Sequence, residues 1–433
     1  MKTIVKILLI TSLLALLTCA SYAAEKPYEG ITINVIAQPR PEWDLIQKDI
    51  PTLEQETGMK VNIRYFDELE RRSKERLDAS MGTGSYQVYY LDEANIPEFG
   101  NAGWVYPIKD YFPEKYDFND FFPSYVSILS WKDIPYAAPV VGAGDWLMYR
   151  KDLFQENGFT APKTFDEWMA IIKKFNEKAP DMYGTATRGL RGSGMNVWRW
   201  TPTLYSFGGK YLNEKDEPVF NSPEAVKATE FYIELIKNSP PGCATFSWSD
   251  CIEAFRSGKV ATFWDTVVFL TFCEDPQKSQ IAGKTGYITC PAGPGGAFSS
   301  GFSHGIGISV PGCKDEKVRK AAGEFIGWFT SKENEIKRIV NKASAEVVMR
   351  ASSMGSPEFT EFAKSFPEAV AAIKEANKIT KMLIMQKPEW PEIGDNLGII
   401  LEELFAGTKT DIKASLDEAV NFAKDVFAKS AKK

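Results

Sequence analysis

The chain has 433 residues, of which 44% are hydrophobic and 25% charged, and its formal net charge is −6. That is roughly two or three domains' worth of core, in a mixture that excludes disordered, collagen-like and multi-span membrane classes. The acidic balance argues against a duplex nucleic-acid partner, and the single histidine, His304, excludes a His-rich zinc site and leaves one possible Ser-His-Asp triad. The positive clue is aromatic: 11 Trp, 17 Tyr and 28 Phe are a large supply of flat faces.

In chain order, the first feature is an address. Lys2 and Lys6 precede an apolar run, Ile7 to Leu17, that is too short to span a bilayer. Ser21 and Ala23 then supply small residues before a cleavage point, so residues 1–23 read as a secretory signal peptide and the mature chain as periplasmic. Cys19 offers a lipoprotein alternative. Thr18 before it fits that cleavage pattern poorly, so the soluble form is favoured. Removing the segment takes away two lysines and no acid, which moves the charge to −8. Five cysteines remain. Cys243 with Cys251 is the most plausible disulfide, and Cys273 with Cys290 the second; the alternative is five small buried hydrophobes. No C-x-x-C occurs, so no cofactor or metal is expected.

Ile31 to Ile36 alternates as a strand does, and a helix follows through Ile50 to Gln55, stopped near Gly58. Val61 to Tyr65 is a second strand, Arg71 to Met81 a second helix, and Val88 to Leu91 a third strand with Asp92 at its end. Alternating strands and helices with short turns imply a parallel sheet. Ligands of such sheets bind beyond the carboxyl ends of the strands, which points to Gln38 and to Asp92 through Asn95. Further on, Thr164 opens a helix over Phe165 to Phe175, Thr187 to Asn196 is a Gly- and Arg-rich loop, and Ser222-Pro223 opens a helix to Lys237. Val260 to Trp264 and Ile306 to Val310 read as strands, Glu316 to Phe329 as a helix, and the remainder as mostly helical.

Several stretches, in this order, resemble the family 1 extracellular solute-binding proteins, the maltose-binding-protein-like receptors of bacterial ABC importers. They are Tyr90-Leu91-Asp92 with Gly103-Trp104, Ile134-Pro135-Tyr136-Ala137-Ala138-Pro139, Tyr149-Arg150-Lys151-Asp152-Leu153-Phe154 and Ala161 to Trp168 (APKTFDEW). Gly208-Gly209, Phe255 to Ala261 (FRSGKVA) and Phe325 to Ser331 (FIGWFTS) follow. Arg188-Gly189 and Trp264-Asp265 are similar to the branch that takes mannitol and sorbitol. The resemblance implies an α/β fold of two lobes, the type II periplasmic-binding-protein fold, with the ligand cleft between lobes and three hinge crossings. We place the crossings near Pro139, Pro291 and Thr330. Lobe one is then 24–139 plus 291–329, and lobe two 140–290 plus 330–433.

A polyol offers hydroxyls that donate and accept, and faces of C–H, so its site needs amides, carboxylates, guanidinium forks and rings. The expected ligand-binding residues from lobe one are Gln38, Asp92 and Asn95, joined by Phe302 and His304 on the returning segment. Similar family members carry aromatics in that last place, and Ser303-His304-Gly305 departs from them. From lobe two we expect Asp145, Trp146, Arg188, Asn196, Trp264, Asp265 and Arg350, with Arg40, Trp43, Arg191, Trp198 and Trp200 near the same loops. Ala143 stands where polyol-binding relatives often carry a carboxylate. The expected function is a non-enzymatic, monomeric receptor that hands a sugar alcohol or small sugar to ABC transporter permease subunits. The alternatives are an exported carbohydrate-active enzyme with paired carboxylates, or the same receptor fold holding an oligosaccharide or phosphorylated polyol.

Overall fold

The computed structural model describes residues 26–432; the expected signal peptide and Cys19 lie outside them. Nine strands form two sheets. In chain order they are β1 (Thr32–Ala37), β2 (Lys60–Tyr65), β3 (Val88–Leu91), β4 (Ala138–Ala143), β5 (Asp145–Arg150), β6 (Tyr183–Ala186), β7 (Val260–Thr266), β8 (Thr285–Ile288) and β9 (Phe302–Ile308). The first sheet runs β2-β1-β3-β9-β4, with β1 parallel to β2 and β3, and β9 antiparallel to β3 and β4. The second runs β8-β5-β7-β6, with β5 antiparallel to both neighbours and β6 parallel to β7.

Local chemistry sets most boundaries. All four residues of β3 are buried, as a central strand covered on both faces requires. The helix Glu68–Met81 starts three residues before the expected Arg71, because Asp67 accepts a hydrogen bond from Glu70 N and caps it there. Thr164 caps Phe165–Asn176 and Asp315 caps Glu316–Phe329 in the same way. Aromatic packing then builds each core: Trp43 packs on Tyr90 and Phe329 in lobe one, and Trp264 on Phe165 and Trp168 in lobe two.

The lobes divide later in the chain than expected at all three crossings. β4 carries the first sheet to Ala143, so the first passage is at Gly144, not Pro139. A Cβ on Gly144 would lie 2.1 Å from Thr380 Oγ1, so only glycine fits this close approach. Pro291 is followed by residues still bound to lobe two: Phe165 N donates to Ala292 O, and Gly295 N to Ser206 O. The second passage is therefore Ser299–Ser300, which pairs in parallel with Thr380–Lys381 at the hinge. After Thr330 the chain stays on lobe one, where Arg338 donates to Val140 O and Ser352 Oγ to Asp120. It returns to lobe two only with the helix Pro367–Ile379, which packs on β5 and β8.

All five cysteines of the described residues are buried free thiols. The expected pairings Cys243–Cys251 and Cys273–Cys290 are not formed; Cys243 Sγ donates instead to Thr187 O and Cys290 Sγ to Asp145 O, and Cys273 Sγ lies against Met148 Sδ. Among the described residues no helix is long and apolar enough to cross a membrane, and no cluster of His, Cys, Asp and Glu could hold a metal ion.

Candidate ligand-binding site

The carboxyl ends of β1, β3, β6 and β7 all open onto one space between the lobes. Lobe one lines it with Gln38, Arg40, Glu68, Arg72, Glu93, Phe302 and His304. Lobe two lines it with Arg188, Gly194, Trp198, Trp248, Thr266, Val268 and Phe269.

On lobe one the organising group is Asp92. It accepts from both Arg71, which is fully buried, and Arg72 Nε at 2.8 Å. Burial works to raise its pKa, but the two guanidinium groups outweigh that and hold the carboxyl well below the usual carboxylate range. Arg71 also bonds Glu75 at 2.6 Å and the carbonyl of Tyr90, so the end of β3 is tied to the helix Glu68–Met81. Glu93, the next residue, has no such partner. Its Oε2 is buried without a hydrogen bond, and burial together with the neighbouring Asp92 pushes its pKa up to about 8. Gln38 Oε1 is likewise buried and unpartnered.

Phe302 and His304 are two apart on β9, so both face the cleft, and a bulge between His304 and Gly305 re-aims the strand. The imidazole ring is held edge-on by Tyr90 at 5.6 Å and Phe302 at 5.0 Å. Burial depresses its pKa well below the ordinary value, so it is neutral.

On lobe two Asp265, at the end of β7, accepts from Arg188 Nε at 2.8 Å and from its terminal nitrogen, a bidentate pair. Arg188 also donates to Gly194 O at 2.8 Å. Asp145 is paired with Arg199 at 2.7 Å and accepts from Ser300 N at 2.7 Å, which fixes the sheet to the hinge.

The lobes are closed on each other. Arg72 of lobe one donates across the gap to Ser193 Oγ of lobe two at 3.0 Å. The backbone of Gly194 lies so close to Glu68 that a Cβ there would sit 1.7 Å from Glu68 Oε1.

Of the expected residues, the structure places Gln38, Arg188, Phe302 and His304 on the cleft. Asp92 and Asp265 stand directly behind it, each holding an arginine that lines it. Asn95 instead caps Asp92 N through Oδ1 and, with Arg191, borders a neighbouring space beyond Arg72 and Ser193. Asn196 donates to Gly398 O inside lobe two. Trp146 stacks on Tyr287 at 4.4 Å, and Trp264 donates to Cys290 Sγ at 3.2 Å, so both indoles are core rather than cleft. Trp146 lies opposite Asp265 and so shares its face, where Tyr287 covers it, while Trp264 points to the other face, onto Phe165 and Trp168. Arg350 is not in lobe two. It lies over Phe121 at 4.0 Å and donates to Asp117 O and Thr330 O within lobe one. Trp43 and Trp200 are core residues, while Arg40 and Trp198 reach the cleft. Sequence reasoning missed Glu68, Arg72, Trp248, Val268 and Phe269; Glu93 lies in the stretch Asp92 through Asn95 to which the strand-end rule points, though it was not among the expected ligand-binding residues.

The family model described as bacterial extracellular solute-binding protein matches residues 40–336. The chain belongs to this family. Its members named below are binding proteins rather than enzymes. Among them, the mannitol-binding protein of Pseudomonas aeruginosa is 28% identical over 263 residues, a match that covers 60% of this chain and 59% of that protein's length. A solute-binding protein of an ABC transporter from Agrobacterium radiobacter K84, solved with ribitol, is 28% identical with a TM-score of 0.83, covering 93% of this chain and all of its own. Another from Agrobacterium vitis S4, solved with D-mannitol, is 26% identical with a TM-score of 0.81 over 92% of this chain and 98% of its own. The solute-binding fold, with two α/β lobes and a cleft between them, is thus shared along nearly the whole described chain.

Proposed function

We propose that the protein is the exported, periplasmic receptor of an ABC importer, capturing a sugar alcohol or small sugar and presenting it to the permease in the closed form. The observation that carries the ligand class is the charge pairing of the cleft. Each arginine that lines it already has a protein carboxylate: Arg40 has Glu42, Arg72 has Asp92 and Glu68, and Arg188 has Asp265. No uncompensated cation is left for a phosphate or carboxylate on the ligand, and Glu93 adds a further acid. What remains for a ligand is unpartnered acceptors, spare N–H groups and rings, the set a neutral polyol satisfies. This weighs against the phosphorylated-polyol alternative. The relatives that hold mannitol and ribitol support the same reading.

A thermal-shift panel of tetritols, pentitols, hexitols, aldoses, maltotriose and hexitol phosphates tests it. A true ligand at a hundredfold excess over Kd stabilises the protein by about 2.7 kcal/mol. We expect that shift from at least one neutral polyol and none from the phosphates. A panel with no polyol response removes the reading, and product formed from an oligosaccharide would replace it with the enzyme.

A further inference from the structure

Glu93 and His304 do not bond each other. His304 Nε2 stands 3.6 Å from Glu93 Oε2, too far for a hydrogen bond. Glu93 Oε2 is nonetheless buried and unpartnered. The other ring nitrogen, Nδ1, faces Tyr90 Oη at 3.4 Å. With the phenol donating to Nδ1, the ring proton is on Nε2 and points to the gap. Both residues line the cleft. They come from adjacent strands of one sheet: Glu93 follows β3, and His304 is fixed at the bulge of β9 between two aromatic rings. A buried carboxylate oxygen left bare at a cleft wall is a costly arrangement unless a ligand completes it.

We propose that Glu93 and His304 form a two-pronged clamp for a single ligand hydroxyl, and that this clamp, rather than the arginines, is the specificity determinant of the site. It rests on the polyol reading above. A hydroxyl oxygen set between the prongs reaches both at ordinary hydrogen-bond length, since their separation of 3.6 Å is less than twice such a bond. It accepts from His304 Nε2–H and donates to Glu93 Oε2. If Glu93 carries a proton, the same hydroxyl accepts from it instead. A hydroxyl serves either state, an ether or carbonyl oxygen only the protonated one, and a methyl group neither. The clamp therefore selects ligands that carry an oxygen at this position and rejects those in which it is deleted.

The test is a double-mutant cycle on binding. Dissociation constants for D-mannitol and ribitol are measured by calorimetry on the full mature chain as wild type, Glu93→Gln, His304→Phe and the double variant. The expected result is a loss of about 10- to 100-fold in each single variant, with the double variant losing little more than the worse single one. Melting temperatures of the four ligand-free proteins give the coupling that comes from their 3.6 Å contact alone, and the coupling in affinity should exceed it. Should a variant not fold, the wild type is titrated with 1,6-, 2,5- and 3,4-dideoxy-D-mannitol, symmetric deletions that leave no intact end to rebind. At least one should bind about tenfold more weakly or worse. Unchanged or strictly additive affinities in the variants, or dideoxy analogues that all bind like D-mannitol, overturn the clamp while leaving the receptor reading intact. A wild type that binds neither polyol overturns the reading on which both stand.

Discussion

The two walls of the cleft are built differently. Lobe one presents Gln38, Arg40, Glu68, Arg72, Glu93 and His304, a wall of hydrogen-bonding groups with unpartnered acceptors. Lobe two presents Trp198, Trp248, Val268 and Phe269 around one arginine, Arg188, and Thr266. The polar wall needs a scaffold, since its groups are desolvated, and Asp92 supplies one by neutralising two arginines at once. The aromatic wall needs only packing: Trp248 lies stacked near Phe269, with ring centres 6.1 Å apart. Changes on lobe one should therefore alter stability and selectivity, and changes on lobe two mainly affinity.

The largest effect should come from breaking the polar scaffold. Asp92→Asn leaves Arg71 and Arg72 short of their shared counter-charge, and unfolding in urea should show a loss of about 3–5 kcal/mol. Asp265→Asn should lose less, because Asp265 pairs with one arginine, Arg188, where Asp92 pairs with two. Equal losses would erase the asymmetry. Next is the seam where the walls meet. Gly194→Ala pushes a methyl group into Glu68 only when the lobes close, which costs about 1–3 kcal/mol of closure. Ligand affinity should fall by about tenfold or more, and small-angle scattering should show less compaction on adding ligand, with the ligand-free melting temperature unchanged. Smaller again, Trp248→Ala should weaken binding by about 0.5–1.5 kcal/mol without changing which polyols are preferred; a change of preference would place selectivity on the wrong wall.

The smallest effect is on pH dependence. Glu93 holds its proton in the folded state up to about 8, against an ordinary value of 4.5, and the unfolded chain releases it earlier. Its contribution to stability is therefore full below the ordinary value and is lost as pH rises through about 8. Burial sets this first; Asp92 and Glu68 add to it by repelling the ionised form, and Arg72 favours that form. Glu93→Gln should flatten the decline in melting temperature across that range. An unaltered slope would mean that Glu93 is ionised throughout.

The fold was largely legible because its elements are local. β3 and the helix Glu316–Phe329 carry their own burial pattern and cap, and both fall where the sequence places them. The crossings were not, because prolines mark turns but not which sheet a strand joins; β4 runs past Pro139 by pairing with β9, a partner 159 residues away where Phe302 faces Ala143. The site divides in the same way. Gln38, just past a strand end, could be read from chain order, and Arg188 from the resemblance to the polyol-binding branch. Arg72 and Trp248 could not, since each sits in the first turns of a helix whose approach to the cleft depends on lobe packing. Trp264 was misplaced because an aromatic beside an aspartate was read as one unit, when a pleated strand sends the two to opposite faces; Trp146 was misplaced because Tyr287 covers its face of the sheet.

The central claim is that the polar wall accepts a neutral polyhydroxylated ligand and has no free cation for an anion. It is tested most directly by titrating the mature protein calorimetrically with D-mannitol and with D-mannitol 1-phosphate in the same buffer. The account predicts one mannitol per chain, and a phosphate ester that binds at least about a hundredfold more weakly, a difference of about 2.7 kcal/mol. Tighter binding of the phosphate would contradict it.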